Sequence, residues 1–358
     1  MKRCNRCVLP ACTPNIVFDK NGICDHCHTH RKIKYKGESE LLKLLKSHRR
    51  PDSKYDCIVT ISGGRDSAFT LLKLVKDYHM KVLAVNYQNP FTDPQAKANI
   101  SNAVRALNVD LVRFKLRNRI HERILRNDAI AWFRRPSPSM VNVMCIPCRI
   151  IAWDILKIAK KHKAPCVVGG ANPFERTAFK KELHGVPRDE NYYLYITKAA
   201  YNVLKQMLGN PRYFSPVCIP TMVKGYAFAV INTISPTLFG LDIPMVELFD
   251  YIEWNEEEVL SRLRSEIAWN YPEKLGPWRF DCRIGHLKDL MYLKTIAMTE
   301  KDDFYAKMVR DGLITRSDAL LRLENENKIH LDQIQLVFNQ VGIKNISVLN
   351  EVNGCSIA

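Results

Sequence analysis

The chain has 358 residues, with 54 Lys plus Arg against 37 Asp plus Glu, a net charge of +17. With 46% hydrophobic and 25% charged residues, it is neither a disordered nor a fibrous chain, and it is long enough to bury a large core without disulfides. No apolar run follows Met1–Arg6, and the most apolar stretch, 226–241, is broken by Asn232, Ser235 and Pro236, so neither a secretory signal nor a membrane span is expected.

Residues 1–31 are rich in Cys and His. Cys4-x2-Cys7 and Cys24-x2-Cys27 are two knuckles sixteen residues apart, which places four thiolates around one tetrahedral ion; zinc prefers that set and has a structural role there. Cys12, His26 and His28 are spare ligands. Residues 32–55 read as a basic helical linker, with Leu41, Leu42, Leu44 and Leu45 forming an apolar stripe. Twelve cysteines with no signal segment indicate a reducing, cytoplasmic setting, where clustered cysteines bind metal or do chemistry.

An α/β alternation follows, expected to build a parallel twisted sheet over 56–243. Strands are predicted at 57–61, 82–86, 111–114 and 166–169, and helices at 66–78, 94–107 and 150–161. Residues 244–358 read as a C-terminal helical region, with 244–264 and 284–326 as helices; the tail after residue 284 either packs on the core or forms a homodimer face. Cys57, Cys166 and Cys355 read as packing or incidental.

Between the first strand and the first sheet helix lies Ser62-Gly63-Gly64-Arg65-Asp66-Ser67. Adjacent glycines allow a sharp turn, and the helix start offers free N–H groups to an anion. The spacing is neither Gly-x4-Gly-Lys-Ser/Thr nor Gly-x-Gly-x2-Gly. This strand, loop and helix resemble the PP-loop of the N-type ATP pyrophosphatases, which have an adenine-nucleotide α-hydrolase-like fold and cut ATP between its α and β phosphates. The resemblance implies that Ser62, Gly63, Gly64, Asp66 and Ser67 hold pyrophosphate, with Arg65 at the variable position. It also puts Asp66 near Mg2+ and Asn86 near the adenosine. Gly169-Gly170-Ala171-Asn172-Pro173-Phe174-Glu175 is similar to that family's second turn, with Gly169, Asn172 and Glu175 as candidates. The family's histidine and paired aspartates are absent there.

Cys145-Ile146-Pro147-Cys148 precedes a helix, and its thiol pKa values are expected to be lowered by the helix start and Arg149. Cys218 and Cys282 stand on separate segments. Three thiolates are too few for a closed zinc site and suit an iron–sulfur cluster with one open iron, or a persulfide-carrying pair. The pattern resembles the PP-loop tRNA thiolation enzymes, in which a Cys-x2-Cys and one distant cysteine hold a [4Fe-4S] cluster beside ATP. By that likeness Cys145, Cys148 and Cys282 hold the cluster, with Cys218 as the alternative third ligand.

A second resemblance covers nearly the whole chain. The knuckles, Asn15–Asp19, Gly22–Cys24, the loop at 62–67 and Tyr251–Glu256 are similar to the N-acetyl-sugar amidotransferases of surface-polysaccharide synthesis. These use ATP and ammonia from a partner glutaminase to turn an acetamido into an acetamidino group. Both likenesses imply AMP transfer to a carbonyl oxygen, then displacement of AMP. The expectation here is displacement by sulfur, with a sulfur donor protein as partner; nitrogen is the alternative. The acceptor is tRNA or a small molecule, and Lys32–Lys36 and Arg134-Arg135 are candidate phosphate contacts. A non-enzymatic, zinc-holding nucleotide- or RNA-binding protein is the third reading; it leaves the second cysteine set unexplained.

Overall fold

The structure, a computed structural model, describes residues 1–177, 179–188, 190–234 and 242–344. Five parallel strands form one sheet: β1 (Cys57–Thr60), β2 (Val82–Tyr87), β3 (Asp110–Phe114), β4 (Val167–Gly169) and β5 (Met245–Glu247). Their order is β3-β2-β1-β4-β5. Cys57 pairs with Val82 and Thr60 with Val85 on one side of β1, and Ile58 pairs with Val167 on the other. The chain therefore winds outward from β1 in both directions. That leaves the C-terminal ends of β1 and β4 beside each other, where ligands bind in open α/β sheets.

β1 is a short apolar run because both its faces are covered. Val59 packs into the larger core with Phe69, Leu72 and Ala84. Ile58 packs with Leu83, Val85, Leu156 and Val167 in the smaller one. Cys57 and Cys166 are buried within these layers, as expected of packing residues.

The helix Pro94–Leu107 keeps its expected bounds, because Asp93 caps it by accepting from the Gln95 amide and Pro94 sits in its first turn. The helix after the second Cys-x2-Cys begins four residues early, at Ile146, since Pro147 fits a first helical turn. Residues 244–264 are not one helix. Met245–Glu247 is strand β5, paired with β4 from Val167↔Met245 to Gly169↔Glu247, and the helix runs Glu256–Ile267 under an Asn255 cap. Three residues of strand are too few to set a period, and the Glu-rich helix behind them dominated the pattern. The sheet thus takes a strand from the segment expected to be helical. Residues 284–326 are three helices, Ile284–Ile296, Glu300–Asp311 and Arg316–Glu326, broken where Thr299 and Thr315 form capping boxes. Cys355 lies outside the described residues.

One described stretch, 138–161, is apolar and long enough to cross a membrane, and 56% of its most apolar window is buried inside the fold.

Candidate functional site

The N-terminal module folds around its cysteines. Cys4, Cys7, Cys24 and Cys27 are buried, and their sulfurs all lie within 4.8 Å of one another. Cys4 to Cys27 is 3.8 Å, Cys7 to Cys24 is 3.7 Å and Cys24 to Cys27 is 3.6 Å. A tetrahedral ion with metal–sulfur bonds of about 2.3 Å spaces its sulfurs by about 3.8 Å, so this set could hold one metal ion. Backbone amides of Arg6, Cys7 and Cys24 point at the Cys4 sulfur, and Leu9 N–H points at that of Cys7. Two of the three spare ligands are used elsewhere. His28 pairs with Asp19, and the Cys12 thiol donates to the Ala297 carbonyl. His26 is buried, and burial lowers its pKa to about 4.

The loop at 62–67 turns where expected. Gly63 has φ +89°, and a Cβ there would lie 2.1 Å from the Ala96 carbonyl oxygen, so no other residue fits. Its own carbonyl accepts from the Trp269 indole at 2.9 Å and the Asn99 amide at 3.2 Å. The Ser62 and Ser67 hydroxyls meet at 3.1 Å, and Ser67 Oγ accepts the Ser62 amide. The helix Arg65–Lys76 then starts with no side-chain cap. Its first amides, with the positive end of the helix dipole, are left for an anion.

These residues line one side of a cavity of about 450 Å³, and Cys145, Cys148 and Cys282 line it too. Cys282 arrives from far along the chain because its segment pairs with the loop after β2. Thr92 bridges Cys282, the Asp93 amide bonds the Asp281 carbonyl and the Arg283 amide bonds the Phe91 carbonyl. The Asn89 side chain donates to the Cys282 sulfur at 3.3 Å. Of the two candidates for the third thiol, Cys282 is the one at the cavity. Cys218 is buried elsewhere, 3.2 Å from an Asp128 carboxylate oxygen. Among the described residues, the cavity thiols do not form a group within 4.8 Å as the N-terminal four do.

The expected lowering of the cavity thiols' pKa is not what the fold produces. Cys148 is exposed at the cavity, yet the protein packed around it, then the neighbouring Cys145 and Cys282 sulfurs, raise its thiol above the ordinary value, and burial pushes Cys282 up to about 12. Arg149, expected to lower them, lines a different cavity beside His184.

Asp66 lies at the cavity wall and accepts from the Trp254 indole at 2.9 Å. Burial lifts its carboxyl to about 6 against the pull of Arg65. Arg65 itself is buried, between Asp66, Glu175 and Glu256, with its guanidinium 4.7 Å from the Trp254 ring centre. The 251–256 segment therefore braces the loop from behind. Of the second turn, Gly170 and Glu175 line the cavity. Asn172 caps the turn by accepting the Phe174 amide, whereas Gly169 ends β4 opposite Glu247. Asn86 is buried, with its amide on the Ile61 carbonyl, and supports the strand end beneath the loop rather than lining the cavity.

Three cavity residues escaped sequence reasoning: Arg279, Asp281 and Lys288. Asp281 hydrogen-bonds Ser62, and a Cβ on Gly64 would lie 3.1 Å from its carboxylate. Only its position next to Cys282 could have drawn notice.

A second cavity, of about 530 Å³, is walled by the N-terminal module, the basic linker and the turn after β4. Arg31, Lys34, Lys36, Arg176 and Arg310 are among its residues.

No family model matches the chain. It is similar to an uncharacterized protein of Methanocaldococcus jannaschii, 27% identical over 192 residues. That match covers 51% of this chain and 64% of the relative, so the chain spans less than two thirds of that protein's length.

Proposed function

We propose that this protein is a PP-loop ATP pyrophosphatase that adenylates a carbonyl oxygen and then replaces that oxygen with sulfur. The observation that carries the reading is one cavity shared by an uncapped helix start behind Ser62–Ser67 and three thiols from two distant segments. The acceptor oxygen attacks the α phosphorus of ATP, the bond to the bridging oxygen breaks, and pyrophosphate leaves with the electron pair. The loop amides and the Ser62 and Ser67 hydroxyls hold the departing phosphates. Asp66 and Asp281, both at the cavity wall, are the carboxylates available to Mg2+. Hydrosulfide then adds at the activated carbon and AMP leaves with the former carbonyl oxygen.

Cys145, Cys148 and Cys282 would hold a [4Fe-4S] cluster, which supplies an iron without a protein ligand as the docking point for sulfur. The N-terminal thiols would hold structural Zn2+.

The basic second cavity favours a phosphate-bearing small-molecule acceptor, and with it the amidotransferase reading, in which ammonia replaces hydrosulfide after the same adenylation. Anaerobic purification with iron, zinc and sulfide analysis, followed by ATP turnover, tests the proposal. The expected result is a brown protein that forms AMP and pyrophosphate, and Asp66→Asn abolishes AMP formation. Release of ADP and phosphate would sink the adenylation step. A colourless, zinc-only protein that forms AMP would move the reading to nitrogen.

A further inference from the structure

The loop at 62–67 has one cation of its own, Arg65, and it is fully engaged. Its side chain is 2% exposed and faces the carboxylates of Asp66, Glu175 and Glu256. The cavity wall adds Asp281. A polyphosphate entering here meets the carboxylates of Asp66, Glu175 and Asp281, so its charge must be compensated by cations elsewhere in the lining. Two cations line the cavity besides Arg65, namely Arg279 and Lys288. Lys288 lies on the helix Ile284–Ile296, whose first residues, Ile284 and Gly285, also line the cavity and whose start has no side-chain cap.

The Lys288 ammonium is held 2.6 Å from Glu300, a carboxylate 3% exposed. Glu300 also receives Lys180 at 2.8 Å and Arg279. Three cations on one carboxylate is a surplus. Glu300 can release one and stay compensated, even with Arg279 shared with Glu175 at 2.9 Å. Lys180 belongs to the same network but does not line the cavity, so Lys288 is the flexible member with somewhere to go.

Building on the ATP reading above, we propose that Lys288 is the catalytic cation of the first half-reaction. It rests on Glu300 and turns to the β and γ phosphates of ATP, neutralising the charge that gathers on pyrophosphate as the bond to the α phosphorus breaks. No proton changes hands. The ammonium donates hydrogen bonds to the leaving oxygens, and Arg279 supplies a second positive charge beside it. Lys288 is also close enough to Cys145 for their charges to interact, which places it between the two half-reactions.

The test is calorimetric binding of inorganic pyrophosphate and of AMP, each with Mg2+, to full-length wild type, Lys288→Met, Lys288→Arg and Lys180→Met. Losing a charge-assisted contact should weaken pyrophosphate binding by roughly tenfold to a hundredfold in Lys288→Met, with AMP binding changed by less than about twofold. Lys288→Arg should recover most of the loss, and Lys180→Met, which keeps Lys288 but removes one of the three cations on Glu300, should lose clearly less than Lys288→Met. The proposal falls if Lys288→Met binds pyrophosphate unchanged, or if Lys180→Met loses as much, because the network would then act only structurally. If wild type itself binds neither ligand, the ATP reading falls first.

Discussion

Thiols at two places in this chain share a residue type and little else. At the N-terminus, four sulfurs from two short knuckles converge within 4.8 Å, buried, with backbone N–H groups pointing at Cys4 and Cys7. Beside the loop that follows the central strand β1, Cys145, Cys148 and Cys282 come from segments more than a hundred residues apart and border open space. A closed set of four leaves an ion nothing further to bind, whereas three thiols on a cavity leave a coordination position for a reactant. The number of sulfurs and the space beside them, rather than the Cys-x2-Cys spacing that both share, distinguish the two sets.

The strongest way to break this contrast is to remove one thiol from each set. Cys24→Ser, or stripping the metal with a chelator, should unfold the N-terminal module, since metal binding in such modules is on the order of 10 kcal/mol of folding free energy. The loss should spread into the C-terminal helices, because Arg3 pairs with Asp302 at 2.7 Å and Arg316 donates to the Cys4 and Cys7 carbonyls. Scanning calorimetry and metal content check this; a variant that melts like wild type refutes a structural ion.

Cys145→Ser should do the reverse. The melting curve should barely move, while bound iron and transfer product are lost and pyrophosphate release survives in part. Full product formation by that variant would end the sulfur reading.

Acid gives a smaller effect, from two buried histidines rather than the thiols. His121, 2.9 Å from the Tyr87 hydroxyl, and His184 are held by burial at about 4, below their ordinary 6.5. Folding therefore favours the neutral rings. Their contribution is complete above pH 6.5 and is lost as pH falls from 6.5 toward 4, by up to about 3 kcal/mol per ring. His121→Gln should flatten the pH dependence of the melting temperature over that window. Equal slopes in variant and wild type would show that His121 carries none of it.

What could be read from the chain follows sequence distance. The loop at 62–67 and the knuckles are local, so glycine placement and cysteine spacing reveal them directly. Cys282 could be proposed, but its choice over Cys218 rests on pairing with residues 89–93, which no local pattern encodes. Lys288 and Arg279 look like ordinary surface charges in sequence, and only the tertiary fold brings them into the same cavity lining as the loop. The thiol pKa expectation failed for the same reason. Helix position was legible, but depth of burial and the direction Arg149 takes were not.

The strip of backbone joining 89–93 to 281–283 has a consequence for biosynthesis. When the ribosome has finished the loop and the first four strands, the nascent chain still lacks Asp281, Cys282 and Lys288. More than a hundred further residues must emerge before that strip can zip shut. Until it does, a growing polypeptide carries the loop at 62–67 without Asp281, Cys282 and Lys288, so the cavity they share with that loop is not yet formed.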